Sequence, residues 1–258
     1  MTLPNSSSSL SARLAAAGLD WIVPDWPAPP QVCALSTTRN AGAGAKFDLT
    51  RSDPEFESAR SELRHWLPAD PIWLTQVHGI VICDADAMSA LRSRDLPEAD
   101  GAVARAPDTV CAVHSADCLP VLLTNVQGSV VAAAHAGWRG LAAGVIEAAL
   151  ASMRTPPATV IAWLGPAIGP QAFEVGVDVV AAHCADDPGA AQCFSPHRPG
   201  KWLADLYALA RRRLERAGVV AIHGGGRCTL SEPETFYSYR REGASVGRMA
   251  TLIWIASV

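Results

Sequence analysis

The sequence predicts a single α+β domain with mixed β-sheets, spanning residues 1–258. Three observations point there. Apolar strand-like runs and helical segments follow one another without a regular βαβ rhythm. No Gly-x-Gly-x-x-Gly or Walker-type loop opens a helix. No internal repeat is apparent.

In chain order, polar residues 1–9 are expected to fray and Leu10 to Gly18 to form a short helix ending at its glycine. The Pro- and Trp-punctuated stretch 20–30 reads as an extended cover. Val32 to Thr38 reads as a strand, followed by Arg39-Asn40 and the flexible segment AGAGA. Asp53 and Pro54 open a helix through Leu67, with Phe56, Ala59, Leu63, Trp66 and Leu67 at helical spacing. Pro71 to Val77 and Ile80 to Asp84 read as strands on either side of His78-Gly79. Glu98 to Gly101 reads as a turn and Thr109 to Val113 as a further strand.

Next comes the stretch that organises the chain, VCAVHSADCLPVLLTNVQGSVVAAAHAGWRG, from Val110 to Gly140. Two apolar strands, Val121 to Thr124 and Ser129 to Ala134, are predicted to pair across a turn at Asn125 to Gly128. With Val126 and Gln127 as the loop residues, Cys118 lies opposite His135. Directly opposed residues share a face, with Cβ atoms about 4.5–5.5 Å apart. A slip of one residue would separate them onto opposite faces.

A helix follows from Leu141 to Met153, then a strand from Val160 to Leu164 and the loop GPAIGP. Phe173 to Gly176 leads into a helix reaching Cys184. Residues 188–200 read as a long surface excursion. Trp202 to Ala217 reads as an amphipathic helix, with Leu203, Leu206, Tyr207, Ala210 and Leu214 on one side and Gly218 as its stop. The end, FYSYRREGASVGRMATLIWI, reads as a closing hairpin with Arg240, Arg241 and Arg248 near its tip.

Composition narrows the function classes. Hydrophobic residues make up 49% and charged residues 18%, enough apolar surface for a substantial core. The formal net charge of -4 and absence of a long basic run give no nucleic-acid footprint, so a small metabolite is the expected partner. The seven cysteines are spread without a Cys-x-x-Cys motif, which reads as reduced thiols in a cytoplasmic protein, with a local Cys184–Cys193 pair as the alternative. No signal peptide or membrane-spanning run is apparent.

Of the seven histidines, His78, His114 and His135 each lie at a predicted strand end, where sites tend to be built. Cys118, between Asp117 and Leu119-Pro120, is held at a strand start opposite His135. Beside a histidine it can be a metal ligand or a nucleophile, and an isolated buried thiol is the structural alternative. Two histidines and one cysteine make a three-ligand zinc set with an open fourth position, the arrangement of catalytic zinc sites. Two arginines suggest anion sites: Arg139, within Gly137-Trp138-Arg139-Gly140 before a helix, and Arg39, beside the glycine-rich loop. Either also fits as an ordinary surface ion-pair partner. Trp138, Phe173 and Tyr237 are candidates to stack a base or simply to pack.

The segments TQVHG (75–79), SADCLPVLL (115–123), AHAGWRG (134–140), GPAIG (165–169), FEVG (173–176) and FYSYRREG…GR (236–248) resemble, in matching order, the YfiH-type proteins. These were once labelled polyphenol oxidoreductases or multicopper laccases. The family is described as zinc-dependent purine nucleoside phosphorylases with adenosine deaminase and methylthioadenosine phosphorylase activities. The resemblance implies two packed mixed sheets flanked by helices, like the catalytic domain of cytotoxic necrotising factor. It implies a zinc site of His78, Cys118 and His135, and a substrate role for Arg39, with a nucleoside and phosphate as the small-molecule partners. The chain departs from the family pattern after Arg39, where AGAGAKFDLT is shorter than the usual Gly-rich segment, and at His114, where the family often has a small or apolar residue. Some relatives are linked to peptidoglycan-precursor editing, which implies a rival in which Cys118 is a hydrolase or amidase nucleophile and His135 its base. A copper oxidase is the remaining rival, disfavoured because the chain has seven histidines and no His-x-His pair.

Overall fold

The computed structural model describes residues 7–42, 45–50, 56–91 and 96–257. Its centre is a six-stranded mixed sheet, ordered β11 (Ala221–Gly224), β7 (Val160–Leu164), β5 (Leu119–Asn125), β6 (Val131–Ala136), β3 (Gly101–Ala104) and β2 (Ile82–Asp84). The outer pairs β11–β7 and β2–β3 are parallel and the inner pairs antiparallel. Against it packs a three-stranded sheet of β1 (Val32–Ser36), β12 (Met249–Ile255) and β4 (Cys111–Ser115). This second sheet is antiparallel throughout, so only one of the two packed sheets is mixed.

Both sheets bury both faces, which explains their unbroken apolar sequences. Val32, Ala34, Val113, Ile253 and Ile255 from the small sheet meet Ala102, Leu122, Ala133 and Trp163 from the large one. The outer face of the small sheet, with Cys33, Leu35, Leu252 and Trp254, is covered by Leu10 and Leu14 of α1 (Ser7–Ala16) and Leu63 of α2 (Phe56–Arg64). The outer face of the large sheet carries Val121, Leu123, Ala132 and Ala134. It packs on Ile146 and Leu150 of α5 (Val145–Met153) and on Leu209, Ala210 and Leu214 of α7 (Leu206–Arg216). The result is an α+β fold of two packed sheets flanked by helices. No helix among the described residues is long and apolar enough to cross a membrane.

Several expectations need correction. Ser7 to Ser9 belong to α1, while residues 1–6 and the helix start at Asp53-Pro54 lie outside the described residues. The stretch 71–77 forms only single bridges, Ile72 with Cys111 and Thr75 with Glu98, and no strand. The helix after Gly137 is split into α4 (Trp138–Ala143) and α5 by Gly144, whose φ of 102° breaks the spiral. Trp202 and Leu203 belong to β10 (Lys201–Ala204), because Asp205 caps α7 by accepting from the Ala208 N–H at 2.9 Å. The 188–200 stretch contains a 3₁₀ segment, Pro188–Cys193, and β9 (Phe194–Arg198). With β10 and β8 (Glu174–Val175), β9 forms a third small sheet. The C-terminal segment is no hairpin: α8 (Tyr239–Glu242) makes one turn, and β12 enters the small sheet between β1 and β4. None of the seven cysteines forms a disulfide, Cys184 and Cys193 included.

The β5–β6 register also differs, since His135 pairs with Pro120 and Val121 with Ala134. The connection is longer than two residues because the Asn125 side chain bonds both the backbone N–H and the hydroxyl of Ser129, each at 2.9 Å. The slip is two residues, and an even slip preserves faces. Cys118, on the chain entering β5, therefore stays on the His135 side.

Candidate metal centre and its cavity

The site forms where the start of β5 and the end of β6 lie side by side. Asp117, at φ 88°, turns the chain just before Cys118. Its buried carboxylate accepts from Thr229 Oγ1 at 2.5 Å, Ser238 Oγ at 3.0 Å and the Arg240 N–H at 2.7 Å. That hub ties the cysteine loop to the C-terminal segment. His78 sits on the loop after the irregular 71–77 stretch, at φ 61°.

Asp100, fully buried just before β3, holds this loop in place. Its carboxylate accepts backbone N–H bonds from Val77 (3.1 Å), His78 (2.9 Å) and Gly79 (2.6 Å). Its Oδ1 also meets His135 Nδ1 at 2.8 Å. A proton held on Nδ1 against Asp100 leaves Nε2 of His135 as the atom that would bind a metal. These bonds hold the Asp100 carboxyl below its usual range despite burial, which acts the other way.

His78, Cys118 and His135 each offer one ligand atom, and these atoms lie within 4.8 Å of one another. Cys118 Sγ is 3.8 Å from His78 Nε2. A tetrahedral zinc with ordinary bond lengths sets such atoms roughly 3.5 Å apart. The two imidazole rings are 4.8 Å apart, centre to centre, and tilted by 71°. Burial raises the Cys118 thiol, but the charge and hydrogen bonding of His135 and His78 outweigh it and bring the pKa down to about 6. The same thiolate, with Asp100, pushes His135 upward against its own burial.

Gly137 completes the cradle. A Cβ there would stand 2.8 Å from His78 Cδ2 and 3.0 Å from Cys118 Sγ, in the space between the ligands. Two imidazole nitrogens, a thiolate and a glycine keeping the fourth side clear fit a zinc or copper ion with an open position.

All three ligands line a cavity of about 630 Å³. That lies within the 300–1,000 Å³ range of small-molecule pockets. Its wall includes Trp138, Phe173 and Arg139 from the predicted candidates, together with Gln76, Arg240 and Arg248. His114 also lines it, but its ring stacks on Trp73 at 4.5 Å and does not join the ligand group. Gln76 clamps the His78 segment to β4 through paired bonds with the His114 backbone, at 2.7 and 2.9 Å.

Two expected residues, Arg39 and the stacking candidate Tyr237, lie off the cavity wall. Arg39 bonds the Pro233 carbonyl at 2.8 Å, approaches Glu242 at 3.5 Å and covers the ring of buried Tyr237. The residue sequence reasoning missed is Asp100, taken there as part of a turn. Only an acid directly before a small-residue strand marks it, and that is a weak signal.

Fold and site together define an α+β protein with a three-donor metal-binding group opening into a cavity of small-molecule size. The chain belongs to the family described as multi-copper polyphenol oxidoreductase laccase, whose sequence profile matches residues 37–256, and within it resembles the YfiH proteins. It is 49% identical over 254 residues to a Xylella fastidiosa protein named purine nucleoside phosphorylase, covering 91% of this chain and 97% of that one. YfiH of Escherichia coli, also named purine nucleoside phosphorylase, is 46% identical over 244 residues, covering 91% and 98%. The crystal structure of a Neisseria meningitidis protein matches with a TM-score of 0.84 at 46% identity, over 92% of this chain and all of that one. YlmD from Geobacillus stearothermophilus matches at 0.81 and 26% identity, over 92% and 96%. Relatives named as enzymes support an enzyme here. Among the described residues, which include every histidine, His78, Cys118 and His135 are the one group of three or more metal donors.

Proposed function

We propose that the chain is a cytoplasmic, single-domain, zinc-dependent purine nucleoside phosphorylase, acting on adenosine, inosine, guanosine and methylthioadenosine, that also deaminates adenosine. The observation that carries this reading is the convergence of His78, Cys118 and His135 on a small-molecule cavity. The names of the relatives supply the reaction class.

When bound by these three residues, zinc supplies Lewis acidity at its open position. The protein contributes the rest. Asp100 fixes the ring of His135 and the loop of His78, and Gly137 keeps the approach clear. Trp138 and Phe173 offer aromatic surface to a purine, and the cationic wall meets phosphate. In phosphorolysis a phosphate oxygen bonds to ribose C1′ as the C1′–N9 bond breaks. The bonding pair leaves with the purine, which takes the proton given up by hydrogen phosphate. Deamination replaces the C6 amino group with oxygen from water and releases ammonia.

The test pairs elemental analysis with product detection. Purified protein should carry about one zinc per chain, release adenine and ribose 1-phosphate from adenosine and phosphate, and lose this activity to a chelator. Zinc-loaded protein that yields neither inosine nor free base overturns the reading.

One observation favours a second reading. The lowered Cys118 pKa beside His135 is also what a cysteine hydrolase needs. Activity that survives complete zinc removal and is lost on thiol alkylation would select it.

A further inference from the structure

Three arginines share the cavity wall: Arg139 in α4, Arg240 in α8 and Arg248 just before β12. Several other arginines are paired with acids, as in Arg198–Glu174, Arg212–Asp187, Arg213–Glu147 and Arg227–Glu232, while Arg105 and Arg211 spend their donors on backbone carbonyls away from this cavity. These three side chains have no carboxylate partner among the described residues. Arg139 stacks its guanidinium on Trp138 at 4.5 Å. Arg240 gives one bond to the Glu174 carbonyl at 3.0 Å and lies over Phe173. Arg248 turns one nitrogen to the carbonyls of Val246 and Gly247, at 2.7 and 3.2 Å. A guanidinium carries five N–H donors, so most of theirs remain unspent.

The one acid among the described residues of the wall, Asp117, is occupied by Thr229, Ser238 and the Arg240 backbone. A chain of net charge -4 thus brings to one cavity three arginines without a carboxylate partner among the described residues. Low-dielectric walls, here Leu49, Leu74 and Ile168, focus such a field on an incoming anion.

We infer that Arg139, Arg240 and Arg248 form an oxyanion subsite of this cavity that takes a phosphate group. The inference rests on the phosphorylase reading in one respect, that the phosphate is the free co-substrate. Its three forks would hold the anion while one oxygen bonds to ribose C1′, with bonds and proton moving as given above.

The experiment is calorimetric titration of the zinc-loaded protein with inorganic phosphate, alongside steady-state kinetics with adenosine. The variants are Arg139→Ala, Arg240→Ala and Arg248→Ala, checked for folding by thermal melting. Arg139 bonds no protein acceptor among the described residues, so its variant should melt like the parent. Each substitution should weaken phosphate binding about tenfold or more, the loss expected for a charged hydrogen bond. The KM for phosphate should rise in step while the KM for adenosine stays within about twofold. Phosphate affinity unchanged in all three variants overturns the subsite, whether or not the parent phosphorolyses adenosine. Conversely, arginine-dependent phosphate binding by a protein that releases no free base supports the subsite and removes the phosphorylase reading. Adenosine 5′-monophosphate separates the two sources of a phosphate group. Simultaneous binding of adenosine and phosphate supports the free co-substrate; arginine-dependent binding of the nucleotide with none of free phosphate overturns it.

Discussion

Replacing Asp100 with asparagine tests the support of the metal centre at its most constrained point. The side chain is fully buried, and its two oxygens accept from four donors: Val77 and Gly79 on one, His78 and His135 on the other. Asparagine has the same shape but a single acceptor oxygen. With its NH₂ on the Val77 and Gly79 side the amide faces two N–H groups; turned the other way it faces the His78 N–H, and His135 must move its proton to accept. Losing at least one hydrogen bond to a charged group, at about 1.5–3 kcal/mol each, predicts a loss of at least about 1.5 kcal/mol. In a chain of this size each kcal/mol moves the melting temperature by about 2–4 °C, so a fall of at least about 3 °C is expected. If the NH₂ meets His135, the ring must place its proton on Nε2, the atom that faces the ligand group. Loss of such an outer partner costs about 10–100-fold in metal affinity. Thermal melting of the metal-free protein reads the first effect, and competition with a zinc chelator reads the second. An Asp100→Asn protein with parental zinc affinity and a melting point within 2 °C would refute the reasoning.

Other substitutions probe neighbouring parts of the same argument. Gly137→Ala should abolish tight metal binding in a folded protein, because the new methyl stands between His78 and Cys118; zinc retention on gel filtration checks it. Tyr207→Phe should cost about 1–3 kcal/mol in a denaturant melt, since the hydroxyl accepts from the Ala167 N–H at 2.9 Å and bonds the Arg227 carbonyl at 2.8 Å. His183 gives a pH dependence: burial first, then the charge of Arg213, lower its pKa from 6.5 to about 4. The unfolded chain therefore takes up a proton before the folded one, and stability should fall by about 3 kcal/mol as pH drops from 6.5 to 4. Denaturant melts across this range should show a flatter slope for His183→Leu than for the parent.

Much of the fold can be read from the chain because both sheets are buried on two sides. Burial of that kind leaves long apolar runs, and β5, β6, β7 and β12 each stand out as one. The same burial hides which strand neighbours which, since a doubly buried strand has no polar face to orient it. So β12 looks like half of a local hairpin but pairs with β1 and β4, far away in sequence. Trp202 and Leu203 follow the helical spacing of α7, yet the Asp205 cap and pairing with β9 make them strand.

The local chemistry of the ligands lay in the sequence itself. Cys118 and His135 flank a short reversal, and the alternation of side chains keeps them on one face even though the register is displaced by two residues. What only three-dimensional packing decided was the support around them. Asp100 reaches His78 and His135 across 22 and 35 residues, and Arg240 reaches Asp117 across 123. Local periodicity carries no record of hydrogen bonds made over such separations. Those bonds hold the His78 loop and the cysteine turn where the ligands can meet, and they bring Arg240 to the cavity wall while Arg39 is left packed on Tyr237.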